Sequence, residues 1–318
     1  MFIEQKKSWK FLIKKSFWKK FSTKIDFSEI KKNDIVKITK KECDFIYQSQ
    51  NYNLFLKNIY NTKLLKDVIF RSKLLSNSIE ILSNVKNYLL ITSDTEKFSK
   101  FIKHWLNHTF PKKYIYNSNN IEGSKIPENE LEKIINNKNY TYKIKNEIIE
   151  VNNSIKSWDF LKKRFIFNEI NIKKLYHILT KNLLQENWEK YPRWFKKISN
   201  VVNNNITTSP ENVQQEVNNL INWYKCNKKY IFPLQLAFDF HLKYEQIHPF
   251  ENGNWRTGRF IMNKILLQNN FLPMIVFAEN KLSYFNAISS CYDWNRKKYY
   301  KFMLEQYDKT LKNVWVEL

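Results

Sequence analysis

Three glycines and seven prolines in 318 residues leave this chain few places to turn sharply. Apolar residues recur at three- and four-residue spacing, so the chain is read as all-α, mainly helical. A sequence this sparing with glycine keeps it where a side chain would obstruct a tight turn or a close backbone approach. Two of the three, Gly253 and Gly258, fall in one cluster, His248-Pro249-Phe250-Glu251-Asn252-Gly253-Asn254-Trp255-Arg256-Thr257-Gly258-Arg259. The third, Gly123, closes a second polar knot, Ser118-Asn119-Asn120-Ile121-Glu122-Gly123.

The length suits one large domain or two ordinary ones. Pro111 and the polar run Asn117 to Asn120 mark the expected boundary, with a basic helical accessory region over 1–110 and a second unit over 111–318. Near the N-terminus, Trp9, Ile13, Phe17 and Phe21 repeat every four residues beside Lys10, Lys14, Lys15, Lys19 and Lys20. That stripe suits a helix lying on an anionic membrane surface, or one docked on the rest of the protein, which is the commoner use. Helix-like periods follow at 52–60, 64–75 and 79–90, without recognisable chemistry. Beyond the boundary, helices are expected near 128–137, 145–163 and 172–185.

The stretch Lys196 to Thr208 breaks the helical pattern. Ile198, Val201, Val202 and Ile206 among Asn and Thr suggest two short strands or a hairpin between Pro192 and Pro210. A helix over Glu211–Tyr224 takes Ser209 as N-cap and Pro210 just inside its start. Pro233 opens the next helix, through Leu234, Ala237, Phe238, His241, Leu242 and Glu245 to His248, where Pro249 stops it. Another helix follows Gly253 and carries Ile261, Ile265 and Leu266.

The formal charge of +24 invites a nucleic-acid or anionic-membrane reading. Lysines are spread along every segment, however, and no zinc-finger, RNP-type or basic-zipper pattern appears, so solvated faces account for them better. Cys43, Cys226 and Cys291 are odd in number and far apart, which argues against a disulfide framework or zinc site and for a reducing compartment. His104 and His108 share a helix face, but no third ligand is near them in sequence. No apolar run approaches a membrane span, and lysines interrupt every candidate signal-peptide core. A cytoplasmic location is expected, with delivery into a host left open.

The segment from His248 to Arg259 reads as helix, turn, helix. A Gly/Asn turn directly before a helix can aim several backbone N–H groups at one anion, reinforced by the positive helix end. Arg256 and Arg259, three apart, can lean toward the same anion, and two charges suit a polyphosphate. His248 overlooks that nest, where it could take a proton from an incoming hydroxyl. The alternative for His248 alone is a cap on its own helix.

At these residues the chain resembles the Fic (Fido) family. Its signature, H-x-F-x-[D/E]-G-N-G-R-x-x-R, is matched at His248, Phe250, Gly253, Asn254, Arg256 and Arg259. Arg193 and the Ile198–Ile206 segment resemble the family's substrate-clamping flap. Ser118 to Ile126, followed by Glu130 to Ile135, resembles its inhibitory helix, [S/T]-x-x-x-E-[G/N], in the branch where that helix precedes the core. The resemblance spans about 112–310. It implies a helical Fic core with a β-hairpin flap, an inhibitory helix near 115–125 and a signature loop at 248–259.

The resemblance further implies AMP transfer from ATP to a Ser, Thr or Tyr hydroxyl of a target protein. His248 would be the general base and Phe250 the loop anchor. Gly253, Asn254 and Trp255 would cradle phosphates, and Arg256 and Arg259 would hold the outer ones. Glu122, on the knot with Ser118 and Gly123, would pair with Arg259 and block the γ-phosphate; a carboxylate is a natural bidentate partner for that arginine. A homo-oligomer is left open.

Two positions depart from the signature. Asn252 stands where an acidic Mg²⁺ ligand is expected, and an amide oxygen brings no charge. Trp255 stands at the second glycine. If that position needs a left-handed backbone, Trp costs about 1–2 kcal/mol. If the indole displaces a phosphate donor, the loss is about 10²–10³ in rate. Three readings therefore stand: an autoinhibited, impaired adenylyltransferase; a degenerate nucleotide- or partner-binding domain or Doc-like phosphotransferase; and a basic nucleic-acid or membrane-surface protein.

Overall fold

Prolines stand at the starts of three helices that frame the candidate site. In the computed structural model, which describes residues 4–6, 10–12, 43–44, 46–84, 100–185, 191–202, 205–292 and 296–317, α1 is Gln50–Leu56 and α2 is Thr62–Asn84. A π-helical turn, Trp105–Thr109, leads into α3, Phe110–Ile121, with Pro111 in its first turn. Then come α4 (Glu128–Ile135), α5 (Lys145–Lys163), α6 (Glu169–Thr180), α7 (Pro210–Asn227) and α8 (Pro233–Ile247). After the signature loop follow α9 (Asn254–Gln268), α10 (Lys281–Ser289) and α11 (Arg296–Glu317). Proline at the first helical position loses no hydrogen bond, because that N–H has no intrahelical acceptor.

Two expected helices end early. Helix α4 stops at Ile135 and α6 at Thr180, and in each case an asparagine just beyond, Asn137 or Asn182, adopts positive φ. Asparagine tolerates that backbone better than other side-chain-bearing residues, so it ends helices much as glycine does. The only strands beyond the N-terminal segment, among the described residues, are β3 (Val201–Val202) and β4 (Asn205–Ile206). They pair antiparallel as Val201↔Ile206 and Val202↔Asn205.

The expectation for the N-terminus is only partly met. Lys10 lies in a short strand, β2 (Lys10–Leu12), paired antiparallel with β1 (Glu4–Lys6), and not in a helix. Trp9, Ile13, Lys14, Lys15, Phe17, Lys19, Lys20 and Phe21 lie outside the described residues, as does the part of the 79–90 period beyond Asn84. The expected boundary near Pro111 falls inside unbroken helical turns running from Lys100 to Ile121. Two side chains of the asparagine run, Asn117 and Asn119, find partners within the fold. Asn119 is buried with its Oδ1 near Ser154 Oγ, and Asn117 Oδ1 accepts from the Ala278 N–H.

One hydrophobic core extends from Cys43 to Val314. Helix α8 is its axis: Leu234, Leu236, Ala237, Phe238, Phe240, Leu242, Tyr244 and Ile247 are all buried, so it is apolar nearly all round. Helix α9 packs along α8, α7 covers another side, and α5 packs on α6. The N-terminal helices join this core directly. Phe55 stacks on Phe232 and meets Tyr300 edge-on, and Arg71 pairs with Asp308 of α11. No helix among the described residues is long and apolar enough to cross a membrane.

Candidate functional site

Helix α8 ends with His248 at its C-cap in the left-handed region (φ 50°, ψ 62°), its N–H bonded to Tyr244 O. Phe250 then turns inward. Its ring is fully buried, stacked 3.7 Å from Tyr176 and 5.3 Å from Phe195. Asn254 closes the loop on itself, because its Oδ1 accepts from Phe250 N and its Nδ2 donates to Phe250 O. The Asn254 side chain is thus committed to shaping the turn, leaving its backbone N–H at the helix start.

Gly253 caps α9 with φ 76°, where a Cβ would be strained, and it lies against Tyr176 and Thr180. Trp255 is already helical and is not among the positive-φ residues, so the left-handed cost considered for it does not arise. Its indole packs 5.0 Å from Phe285 and 5.4 Å from Tyr284, with the His248 ring 6.2 Å away edge-on.

Both signature arginines are buried, and both meet carboxylates. Arg259 donates from Nε to Ser118 Oγ (3.1 Å), and from Nη2 to Ser118 O (2.9 Å) and Glu122 Oε1 (2.7 Å). Burial opposes its charge, but Glu122, together with the neighbouring Tyr284 and Tyr114, outweighs that and holds its pKa above the ordinary arginine value. Arg256 donates from Nη1 to Glu150 Oε1 at 2.6 Å. Helix α3 delivers Ser118 and Glu122 together because Gly123 ends it in positive φ (109°), with Ser124 N–H reaching back to Asn119 O.

His248 is shielded from protonation. Burial first, and then the nearby Lys196 ammonium, bring its pKa down to about 3, so the imidazole is neutral and able to accept a proton. Its Nδ1 lies 3.7 Å from Glu245 Oε2. Glu245 is fully buried, and burial raises its pKa well above the carboxylate range. On its other side, Glu245 Oε1 is 3.6 Å from His241 Nδ1, while His241 Nε2 contacts Tyr284 OH at 2.6 Å. Gly258 makes room for this cluster: a Cβ there would sit 2.2 Å from Glu245 Oε1 and 2.9 Å from His241 Nδ1.

The flap is fastened to the loop by a residue with no signal in the sequence. Lys196 is buried, and its Nζ bonds Asn200 Oδ1 and Thr207 Oγ1 at 2.7 Å and Ile247 O at 3.3 Å. Burial lowers its pKa to about 8. Its backbone N–H donates to Pro249 O, and Asn200 Nδ2 donates to Phe250 O. Arg193 remains exposed, and its charge acts on His177. Glu150 likewise carries no signal in the sequence: a glutamate in a polar helix reads as a solvated charge, and its partner is 106 residues away.

Asn252 Nδ2 donates to Gln185 Oε1 at 2.9 Å. Among the described residues no three His, Cys, Asp or Glu side chains converge as a metal-binding group. The donors here do not make a resident cation site; Asn252 offers at most one neutral oxygen to a cation that arrives with a ligand.

A sequence profile described as Fic/DOC family matches residues 166–266. The protein adenylyltransferase Fic of Nematostella vectensis is 25% identical over 111 residues, 35% of this chain and 26% of that protein. The protein adenylyltransferase fic-1 of Caenorhabditis elegans is 31% identical over 81 residues, 25% of this chain and 16% of that protein. The chain thus spans about a quarter or less of the length of these relatives. A Fic-domain-containing signalling protein of Bacteroides thetaiotaomicron superposes with a TM-score of 0.62 at 20% identity, over 77% of this chain and 95% of that one. That likeness establishes the fold.

Proposed function

Residues 166–266 form a domain of the Fic/DOC family, and from that premise we propose that the protein transfers AMP from ATP to a hydroxyl of a target protein and is held off by Glu122. The observation that carries this reading is the convergence, at the start of α9, of a neutral buried histidine, a glycine-capped helix N-terminus and two buried arginines. The unpaired N–H groups of that helix start and the two guanidinium groups suit a polyphosphate.

In the reaction, His248 takes the proton of the acceptor hydroxyl as its oxygen attacks the α-phosphorus. A bond forms between that oxygen and phosphorus, the α–β phosphoanhydride bond breaks, and pyrophosphate leaves with the electron pair. Gly253, the backbone N–H groups of Asn254 and Trp255, and the two arginines hold the phosphates. Asn252 would offer one neutral oxygen to the Mg²⁺ of MgATP, an ion that would offset phosphate charge. Phe250 anchors the loop through its stack on Tyr176.

Two features support regulation and target binding. Arg259 already spends Nε and Nη2 on Ser118 and Glu122, so a γ-phosphate must displace a buried charge-assisted bond. The flap exposes Trp194, Ile198, Val201 and Ile206, an apolar face suited to a target segment.

A second reading, nucleotide binding without useful turnover, is favoured by Asn252 and by Trp255, whose ring stands beside His248. ATP labelled at the α or the γ position separates the two, with His248→Ala as control. Label retained on protein from α alone supports AMP transfer, from γ alone a Doc-like phosphate transfer, and from neither the binding-only reading.

A further inference from the structure

The two arginines are held in different ways. On Arg259, Nε and Nη2 are both taken, Nη2 meeting Ser118 O and Glu122 at once, and only Nη1 is buried without a partner. On Arg256, Nη1 alone reaches a carboxylate, Glu150 Oε1, while Nε is buried without a partner. Its Nη2 lies 3.8 Å from where a Cβ on Gly253 would stand, so that arm of the guanidinium lies against the turn. The Tyr191 hydroxyl flanks the group as well. A guanidinium carries several donors in a rigid fork, so one arm can stay tethered while the others bind an anion.

From this asymmetry, and resting on the nucleotidyl-transfer reading above, we propose that Glu150 on α5 is a positioning residue that tethers Arg256 by Nη1 and aims its remaining donors at the nucleotide phosphates. Glu122 and Glu150 would then act oppositely on neighbouring arginines. Glu122 occupies Nη2 of Arg259, which a γ-phosphate would have to reclaim, whereas Glu150 occupies Nη1 of Arg256 and leaves its Nε open. A long side chain held in its working pose before the ligand arrives loses less freedom on binding and presents its charge at the right place. Burial strengthens the tether, since Arg256 is nearly inaccessible and Glu150 mostly so.

The test uses the full chain carrying Glu122→Gly, with MgATP affinity measured by calorimetry and kcat and KM for ATP measured in AMP transfer. Glu150→Ala, Glu150→Gln, Arg256→Ala and the Glu150→Ala/Arg256→Ala pair are compared with that parent. The proposal expects Glu150→Ala to weaken MgATP binding and lower kcat/KM by about tenfold, a coupling typical of residues in direct contact. Glu150→Gln, whose amide oxygen still accepts from Nη1, should recover most of the loss, and Glu150→Ala should cost nothing further once Arg256 is alanine. Tighter binding or faster transfer in Glu150→Ala would mean that Glu150 blocks, and an equal loss in the Arg256→Ala background would mean that it only supports the fold; either overturns the proposal. A parent that binds and transfers while Glu150→Ala changes nothing sinks this assignment alone. A parent that neither binds MgATP nor transfers AMP sinks the nucleotidyl-transfer reading, and this assignment with it.

Discussion

Gly258 is helical and needs no special backbone, yet a Cβ there would strike Glu245 Oε1 at 2.2 Å. Exchanging an interior helix glycine for alanine ordinarily stabilises by about 0.5–1 kcal/mol. Here the overlap falls on a fully buried side chain that has nowhere to withdraw. Gly258→Ala should therefore destabilise, by about 1–3 kcal/mol as over-packing usually does, read as a lower denaturation midpoint with unchanged slope; a raised midpoint would show that the cluster yields. The same cluster sets a pH dependence. His241 and His248, desolvated by burial and opposed by Arg259 and Lys196 respectively, protonate only near pH 3 when folded, against the ordinary 6.5 when unfolded. Below about 6.5 the unfolded chain binds more protons at these two positions than the folded one, so the histidines' contribution to stability falls as pH falls toward 3, while Glu245, its pKa raised by burial, contributes with the opposite sign. From pH 7.5 to 4.5 the melting temperature of the unaltered protein should therefore fall relative to that of His241→Asn; parallel curves for the two would contradict the burial of a neutral imidazole at 241.

Among the elements, the flap depends on the fewest residues. Its strands are two residues each, too short to be stable as an isolated hairpin. What holds it is Lys196 and Asn200 bonded to Ile247, Pro249 and Phe250 of the signature segment. Lys196→Met keeps the length of the side chain and removes its donors. The expected result is a higher KM for the target protein, by about tenfold if one charged buried hydrogen-bond set is lost, with KM for ATP little changed. Equal losses for both substrates would mean that the flap shapes the nucleotide site as well. Elements were legible in the sequence where punctuation is strong: Pro210, Pro233 and Pro249 bound their helices, and the Ile198–Ile206 hairpin follows from β-branched residues between prolines. The boundary at Pro111 misread the same signals, because proline sits in the first turn of α3 and the asparagines that follow are helical, two of them with tertiary partners in Ser154 and Ala278.

Over the whole molecule, what the sequence left hidden is pairing at long range. His248, Gly253, Arg256 and Arg259 are adjacent in the chain and could be read as one site, and Glu122 could be matched to Arg259 only through a resemblance. Glu150 and Lys196 carry no local pattern, since a lone glutamate or lysine means nothing until packing supplies its partner. The N-terminal helices likewise read as an appendage, whereas Phe55 and Arg71 bind them to Phe232, Tyr300 and Asp308 in one continuous core. At the edge of that core lies the part-buried bond from Arg259 to Glu122, which in the proposed function keeps a competent site closed. The most direct test is the rate of AMP incorporation from α-labelled ATP by the Glu122→Gly protein against the unaltered one. Release of one charge-assisted hydrogen bond should raise that rate by about tenfold or more; incorporation unchanged by the substitution, with the unaltered protein measurably active, would contradict it.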